Sequence, residues 1–222
     1  EKQTTSGRIT GTVPPPRFQH VAVAMNDSIY IVGGTNGKTF FEEIYQYEPQ
    51  KHHWTCYKPH EKKNECKDTG RARHSVIPYK GSMYLFGGIC KHGFTTNKLF
   101  KLDTHRYLKI KARKTAKTVD GNSTGDNGNV KNDIVATYAW KKIESRSKQN
   151  APSSRFNHAS AVFRNHMYIF AGEGNDRQLE NDLYSYNFET QKWKKELHQV
   201  DSMHMSPPPP SKDYKLVALS KC

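Results

Sequence analysis

Cysteine is scarce: the 222 residues hold four, Cys56, Cys66, Cys90 and Cys222, with no C-x-x-C pair among them. That excludes a dense disulfide framework and a paired-cysteine zinc ribbon. It favours a reducing compartment, so the cytoplasm is the expected location and the nucleus the alternative. Two N-x-S/T triplets, Asn26-Asp27-Ser28 and Asn122-Ser123-Thr124, point the other way, but such triplets arise often by chance. No apolar run approaches the roughly 20 residues that a membrane-spanning helix needs, so no membrane span is expected. The chain opens Glu1-Lys2-Gln3 with neither a charged n-region nor an apolar h-region, and no secretory signal is read in it. Acids are outnumbered by bases, 21 to 35, for a formal net charge of +14. A surface of that sign attracts nucleic acid, acidic lipid or acidic protein without choosing among them.

Motifs with a mechanism attached are also missing: there is no nucleophile elbow and no phosphate-binding P-loop, so no cofactor is expected. The apolar fraction is 34% and the mean hydropathy −0.90, low for a compact globule. Yet 12 Tyr, 10 Phe and 3 Trp supply large surfaces to bury, so part of the chain is expected to be a solvated insertion.

What the sequence does have is a repeat. Arg17-Phe18-Gln19-His20, Arg71-Ala72-Arg73-His74 and Arg155-Phe156-Asn157-His158 share the pattern R-x-x-H, and 14 residues after each His stands Gly34, Gly88 or Gly172. Before each glycine lies a short apolar run, Ile29 to Val32, Met83 to Phe86 and Met167 to Phe170, of the kind that forms a fully buried strand. The stretches preceding these, Val21 to Ala24 and Ala159 to Val162, use small residues, as an innermost strand near a crowded axis requires. After a polar loop come alternating segments, Ile44 to Tyr47, Leu99 to Leu102 and Leu183 to Tyr186, that read as half-exposed strands. Trp54 and Trp193 each follow the third strand by seven residues, a spacing that suits a hairpin into a fourth. Four antiparallel strands per unit is the pattern of a propeller blade.

The R-x-x-H turn, the double glycines Gly33-Gly34 and Gly87-Gly88, the paired aromatics and the trailing Trp resemble the kelch repeat family. The resemblance implies an all-β fold of three complete four-stranded antiparallel blades with partial flanking blades, in an open or incomplete ring. The divisions read from the repeat are 1–13 (the tail of a preceding blade), 14–60, 61–145, 146–206 and 207–222 (the start of a further blade). Two departures stand out. Ala171 replaces the first glycine of the third pair, which suggests that Gly172 holds the position needing backbone freedom. Trp140 follows Leu102 by 38 residues, implying an insertion at about 107–138 between third and fourth strands. That segment contains the polar tract Gly121 to Asn129 and is expected to be disordered.

Arg17, His20, Arg71, His74, Arg155 and His158 recur in every unit, as do Gly33, Gly34, Gly87, Gly88 and Gly172 and the tryptophans Trp54, Trp140 and Trp193. They are therefore assigned a scaffold role, with Arg and His bonding backbone at blade junctions. His52, His53, Cys56, His60 and Cys66 are zinc-capable but match no finger or ribbon spacing, so no metal site is expected. The basic run Arg106 to Lys117 reads as a solvated loop, with RNA or anionic-lipid binding as the alternative. Pro207 to Pro210 read as a link between blades.

The resemblance implies that partners dock on the face built from the loops joining second to third strands and from the turns entering each blade. Arg73 and Arg177 are the first candidates, since a guanidinium fork clamps carboxylates. Gln19, Asn157 and Asn175 stand beside them, with Phe40, Phe41 and Phe94 as apolar anchors. Within the family, Ile169-Phe170-Ala171-Gly172, Gly174-Asn175 and the degenerate Pro-Pro-Ser-Lys-Asp-Tyr stretch resemble the leucine-zipper-like transcription regulator group. That implies a substrate adaptor of a cullin-type ubiquitin ligase, with a small GTPase or another ubiquitination substrate as its protein partner. The expected function is thus protein binding rather than catalysis. A metal-dependent propeller enzyme is the alternative from a different class, and nucleic acid is the weaker candidate partner.

Overall fold

The computed structural model describes residues 8–60, 70–104, 109–114, 132–146 and 150–196, with the side chains of 109–114 and 132–135 left aside. In chain order the strands are β1 (Thr10–Gly11), β2 (Val21–Met25), β3 (Ser28–Val32), β4 (Ile44–Glu48), β5 (His53–Pro59), β6 (Arg71–Ala72), β7 (Ser75–Tyr79), β8 (Ser82–Phe86) and β9 (Ile89–Cys90). They continue with β10 (Leu99–Asp103), β11 (Lys109–Lys114), β12 (Asn132–Tyr138), β13 (Lys141–Ile143), β14 (Ala159–Phe163), β15 (His166–Glu173), β16 (Leu179–Asn187) and β17 (Lys192–Glu196).

Three antiparallel blades result, with strand orders β2-β3-β4-β5, β7-β8-β10-β13 and β14-β15-β16-β17. In the first two blades the first two strands join through tight turns whose residues sit at positive φ, Asn26-Asp27 (51° and 56°) and Lys80-Gly81 (45° and 70°), matching the twist of a hairpin, and in the third Arg164 sits at 54°. Asn26, though exposed, donates from its side-chain amide to Thr104, and Ser28 is buried.

The blades stack through their inner strands, β2 beside β7 and β7 beside β14. The period-2 alternation of β8 then serves two cores. Met83 and Leu85 join Tyr30, Val32 and Ile44 of the first blade, while Tyr84 and Phe86 join Met167, Ile169 and Trp193 of the third. Flanked on both sides, β8 is buried at all five positions. The outer blades differ: in β3, Ile29 is 39% exposed although Tyr30 and Val32 are buried, so the expectation of fully buried second strands holds only for the middle blade.

The segment expected to be disordered is partly ordered. Strands β11 and β12 pair antiparallel, and β12 adds in parallel to the outer edge of β5 through Thr137 opposite Lys58 and Tyr138 opposite Pro59. The alternation Lys109-Ile110-Lys111-Ala112 and the run Ile134-Val135-Ala136 suit strands, and the edge of β5 offers the unpaired backbone groups that attract one. Tyr138 and Trp140, both buried in the first core, anchor the return. The tract 121–129 lies outside the described residues, as do Cys66, Cys222, the run Pro207 to Pro210 and the stretch read as a further blade.

Within the stretch read as the tail of a preceding blade, Thr10–Gly11 pairs in parallel with β5 of the first blade itself. The Thr10 N–H donates to the His52 carbonyl at 2.9 Å, and the Arg146 N–H repeats the bond to Gln191 at 3.1 Å in the third blade. His52 and Gln191 both precede the blade's Trp by two residues, so the approach segment clasps the outer edge of its own blade.

Candidate partner-binding face

The repeated arginines each bond inside their own blade: Nη1 of Arg17, Arg71 and Arg155 donates to the carbonyls of Gly33 (2.9 Å), Gly87 (3.1 Å) and Ala171 (2.9 Å). What crosses the junction is the arginine's own carbonyl. Arg71 accepts from the Gly34 N–H at 2.8 Å, and Arg155 from the Gly88 N–H at 2.9 Å. Glycine is required there by space as well as conformation. At Gly33 an added Cβ would lie 2.6 Å from the Arg71 carbonyl oxygen, and at Gly87 2.7 Å from that of Arg155. In the third blade Ala171 also adopts φ 60°, so the left-handed conformation is not confined to Gly172 as the sequence suggests.

His74 and His158 are buried against the preceding blade, and His158 Nε2 bonds Ser75 Oγ at 2.9 Å. Burial, with the nearby Arg155 guanidinium, pushes His158 down to about 3. Burial and then Arg71 hold His74 well below the usual histidine range. Both rings are neutral at physiological pH and act as packing pieces. Arg155, wholly buried, forms an ion pair with Asp182 at 2.6 Å. Arg17, only half-buried, instead stacks over Phe41 at 4.0 Å.

The turns entering the three blades form a continuous ladder. Gln19, Arg73 and Asn157 sit at φ 57°, 57° and 54°. The Arg73 N–H donates to the Gln19 carbonyl and the Asn157 N–H to that of Arg73, both at 3.1 Å. These non-glycine residues hold a sparsely populated conformation against bonds from the neighbouring blade, Arg73 from both sides.

From that ladder Arg73 projects to a cavity of about 630 Å³ between the second and third blades. Asn175 and Arg177 line it from the loop between β15 and β16, Thr95 from the loop between β9 and β10, and Phe156 and the buried Glu173 line it as well. The Arg73 guanidinium lies 5.6 Å from the Phe156 ring centre. Asn175 Oδ1 accepts from both the N–H and the hydroxyl of Thr95, tying the two loops together. The third-blade loop is braced internally, Gly174 N–H to Gln178 carbonyl at 3.0 Å and Arg177 N–H to Gly174 carbonyl at 3.2 Å. Phe94, next to Thr95, is 70% exposed.

Three of the eight residues singled out from sequence thus meet in one cavity. Gln19 and Asn157 stand in the ladder rather than in its lining. Phe40 and Phe41 are elsewhere, in a second cavity beside the first blade. Phe156 and Glu173 were missed: Phe156 stands inside the R-x-x-H turn, where it reads as scaffold, and Glu173 follows the glycine pair without a signal of its own. Of the zinc-capable set, His53 Nδ1 shares a bond with Thr10 Oγ1 at 2.8 Å, and Tyr47 Oη lies 3.3 Å from His52 Nδ1. Among the described residues no group of three or more His, Cys, Asp or Glu is placed to hold a metal ion. Nor does any helix among them have the length and apolarity to cross a membrane.

Residues 1–124 match the KLHDC2/KLHL20/DRC7 Kelch-repeats domain, and residues 154–196 match the Kelch motif. The leucine-zipper-like transcriptional regulator 1 homolog of Drosophila melanogaster is 24% identical over 92% of this chain and 18% of its own length. The host cell factor homolog hcf-1 of Caenorhabditis elegans is 27% identical over 79% of the chain and 19% of its own length. The chain therefore spans about a fifth of these curated relatives. Among solved structures, YjhT superposes with a TM-score of 0.56 at 15% identity, over 84% of this chain and 53% of that one, a likeness of fold. With more than half the sequence matched to that domain and three stacked four-stranded blades carrying its repeat, the chain belongs to the kelch-repeat family.

Proposed function

We propose that this chain is a protein-interaction module whose partner docks over the cavity between the second and third blades. The observation that carries the reading is the convergence of Arg73 and Arg177 on one cavity, with Asn175 bridging its loops. Two guanidinium groups on a braced scaffold can grip carboxylates bidentately, and the ordering cost of the loops is already met by their internal bonds. Similarity to a leucine-zipper-like transcriptional regulator homolog supports a finer version, in which the module is the substrate receptor of a cullin-type ubiquitin ligase acting in the cytoplasm on a small GTPase or another ubiquitination substrate. The two junction histidines, His74 and His158, are buried and do not line this cavity, and the proposal assigns it binding alone.

The test is affinity capture with the full protein, comparing wild type, Arg73→Ala/Arg177→Ala, and Lys109→Gln/Lys111→Gln/Arg113→Gln/Lys114→Gln/Lys117→Gln. The glutamine variant strips the insertion of positive charge without deleting β11 or β12, which belong to the first blade's sheet. A partner lost in the arginine variant and kept in the glutamine variant supports the reading. A partner lost only in the glutamine variant, with steep salt dependence, moves function to the basic insertion and an anionic ligand.

A further inference from the structure

The second cavity, of about 830 Å³, lies beside the first blade and shares no lining residue with the first, although its Lys91 stands between Ile89 and Gly93 of that one. Its apolar floor is Phe40 and Phe41, both half-buried, from the loop between β3 and β4. Three exposed lysines from three separate segments, Lys38, Lys58 and Lys91, surround it. Of the two acids in the lining, Glu43 lies in the field of the Arg17 guanidinium, which leaves Glu42 as the counter-charge to three lysines.

The geometry is built in advance. Asn36 Oδ1 accepts from the Lys38 and Thr39 N–H groups at 3.0 and 2.8 Å, Thr35 Oγ1 donates to the Thr39 carbonyl at 2.8 Å, and Phe41 N–H donates to the Gly34 carbonyl at 2.9 Å. Arg17 backs the Phe41 ring. The opposite wall depends on the insertion: β12 pairs with Lys58 and Pro59, and Tyr138 Oη donates to the Glu42 carbonyl at 2.6 Å. The insertion's return strand thus shapes a cavity on the neighbouring blade.

We infer that this is a second, independent docking site, built by the insertion against the first blade, for a segment of an acidic protein that presents one apolar side chain between carboxylates. The apolar side chain covers the two phenylalanines while its flanking carboxylates meet Lys38, Lys58 and Lys91. Complementary charge sets association rate and selectivity, and the half-buried aromatic pair supplies the anchor.

The probe is an array of synthetic twelve-residue peptides in which one Leu or Phe is flanked by two acids on each side, with a matched array carrying Lys for the acids. It is applied to the full protein, to Lys58→Glu/Lys91→Glu and to Arg73→Ala/Arg177→Ala, each checked by thermal melting. The acidic array is expected to bind wild type and the arginine variant alike and to lose roughly tenfold in affinity with the lysine reversals, which alter only exposed side chains. Tyr138→Phe is expected to weaken binding without changing the charge. Equal binding of the lysine array, indifference to the lysine reversals, or loss in the arginine variant alone would each overturn the inference. The last result would leave the first cavity's proposed role standing.

Discussion

Acid should open the blade junctions through their histidines. A histidine whose folded pKa is depressed favours the unfolded chain once protons become available. Its contribution to stability is complete above its unfolded value of about 6.5 and is lost as pH falls toward the folded value. For His158 that window runs from about 6.5 down to about 3, with burial as the main cause and the Arg155 charge as the second. Within it the slope is about 1.4 kcal/mol per pH unit, so moving from pH 6.5 to 5 removes about 2 kcal/mol through this residue alone. His74 is displaced in the same direction and adds to the slope. The perturbation is His158→Gln, which cannot titrate and retains an amide N–H for the Ser75 hydroxyl that His158 bonds at 2.9 Å. Urea midpoints followed by tryptophan fluorescence at pH 7.5, 6 and 5 give the two slopes. The variant is expected to start lower at pH 7.5 because the imidazole packs against Phe86, and to lose stability less steeply, by about 1.4 kcal/mol per pH unit between 6 and 5. Parallel slopes would refute the reasoning, since they would mean His158 gains its proton without leaving the junction.

Five further substitutions test the same geometry. Gly87→Ala combines φ 66° with a Cβ placed 2.7 Å from the Arg155 carbonyl oxygen and is expected to lower chemical stability by more than about 2 kcal/mol, whereas Ala171→Gly releases the left-handed strain of a residue at φ 60° and should raise it by roughly 1 kcal/mol. Asp182→Ala leaves the fully buried Arg155 without its counter-ion and should cost about 3 kcal/mol in a denaturation curve, while Glu43→Ala, at the equivalent position beside the half-exposed Arg17, should stay within about 1 kcal/mol. Tyr138→Phe removes one hydrogen bond to the Glu42 carbonyl, and its thermal melt should report a loss of about 1 kcal/mol.

The blades were legible because their signals are local and repeated: an R-x-x-H turn, a four-residue strand and the glycine 14 residues after the His recur at fixed offsets within each unit. What the sequence hid depends on which unit lies alongside. The run Ile134 to Ala136 announces a strand, but nothing in it says that β12 will pair with the edge of β5 in the preceding blade, since an unpaired edge offers its backbone to any extended segment. Gly33 and Gly87 behave the same way, because the atoms that forbid a Cβ there belong to the next blade, so a reading confined to one unit sees only the φ requirement. The partner face divides on this principle too. Arg73 and Arg177 could be paired from sequence because each sits in a turn at the same end of adjacent blades. Phe40 and Phe41 have the composition of an anchor but no residue that fixes their neighbour, and the structure gives them Lys58 and Lys91 instead. In this stacked array each blade's own residues determine the blade, while the two cavities described draw their linings from adjacent blades. A single sequence therefore reports the scaffold more faithfully than the sites it carries.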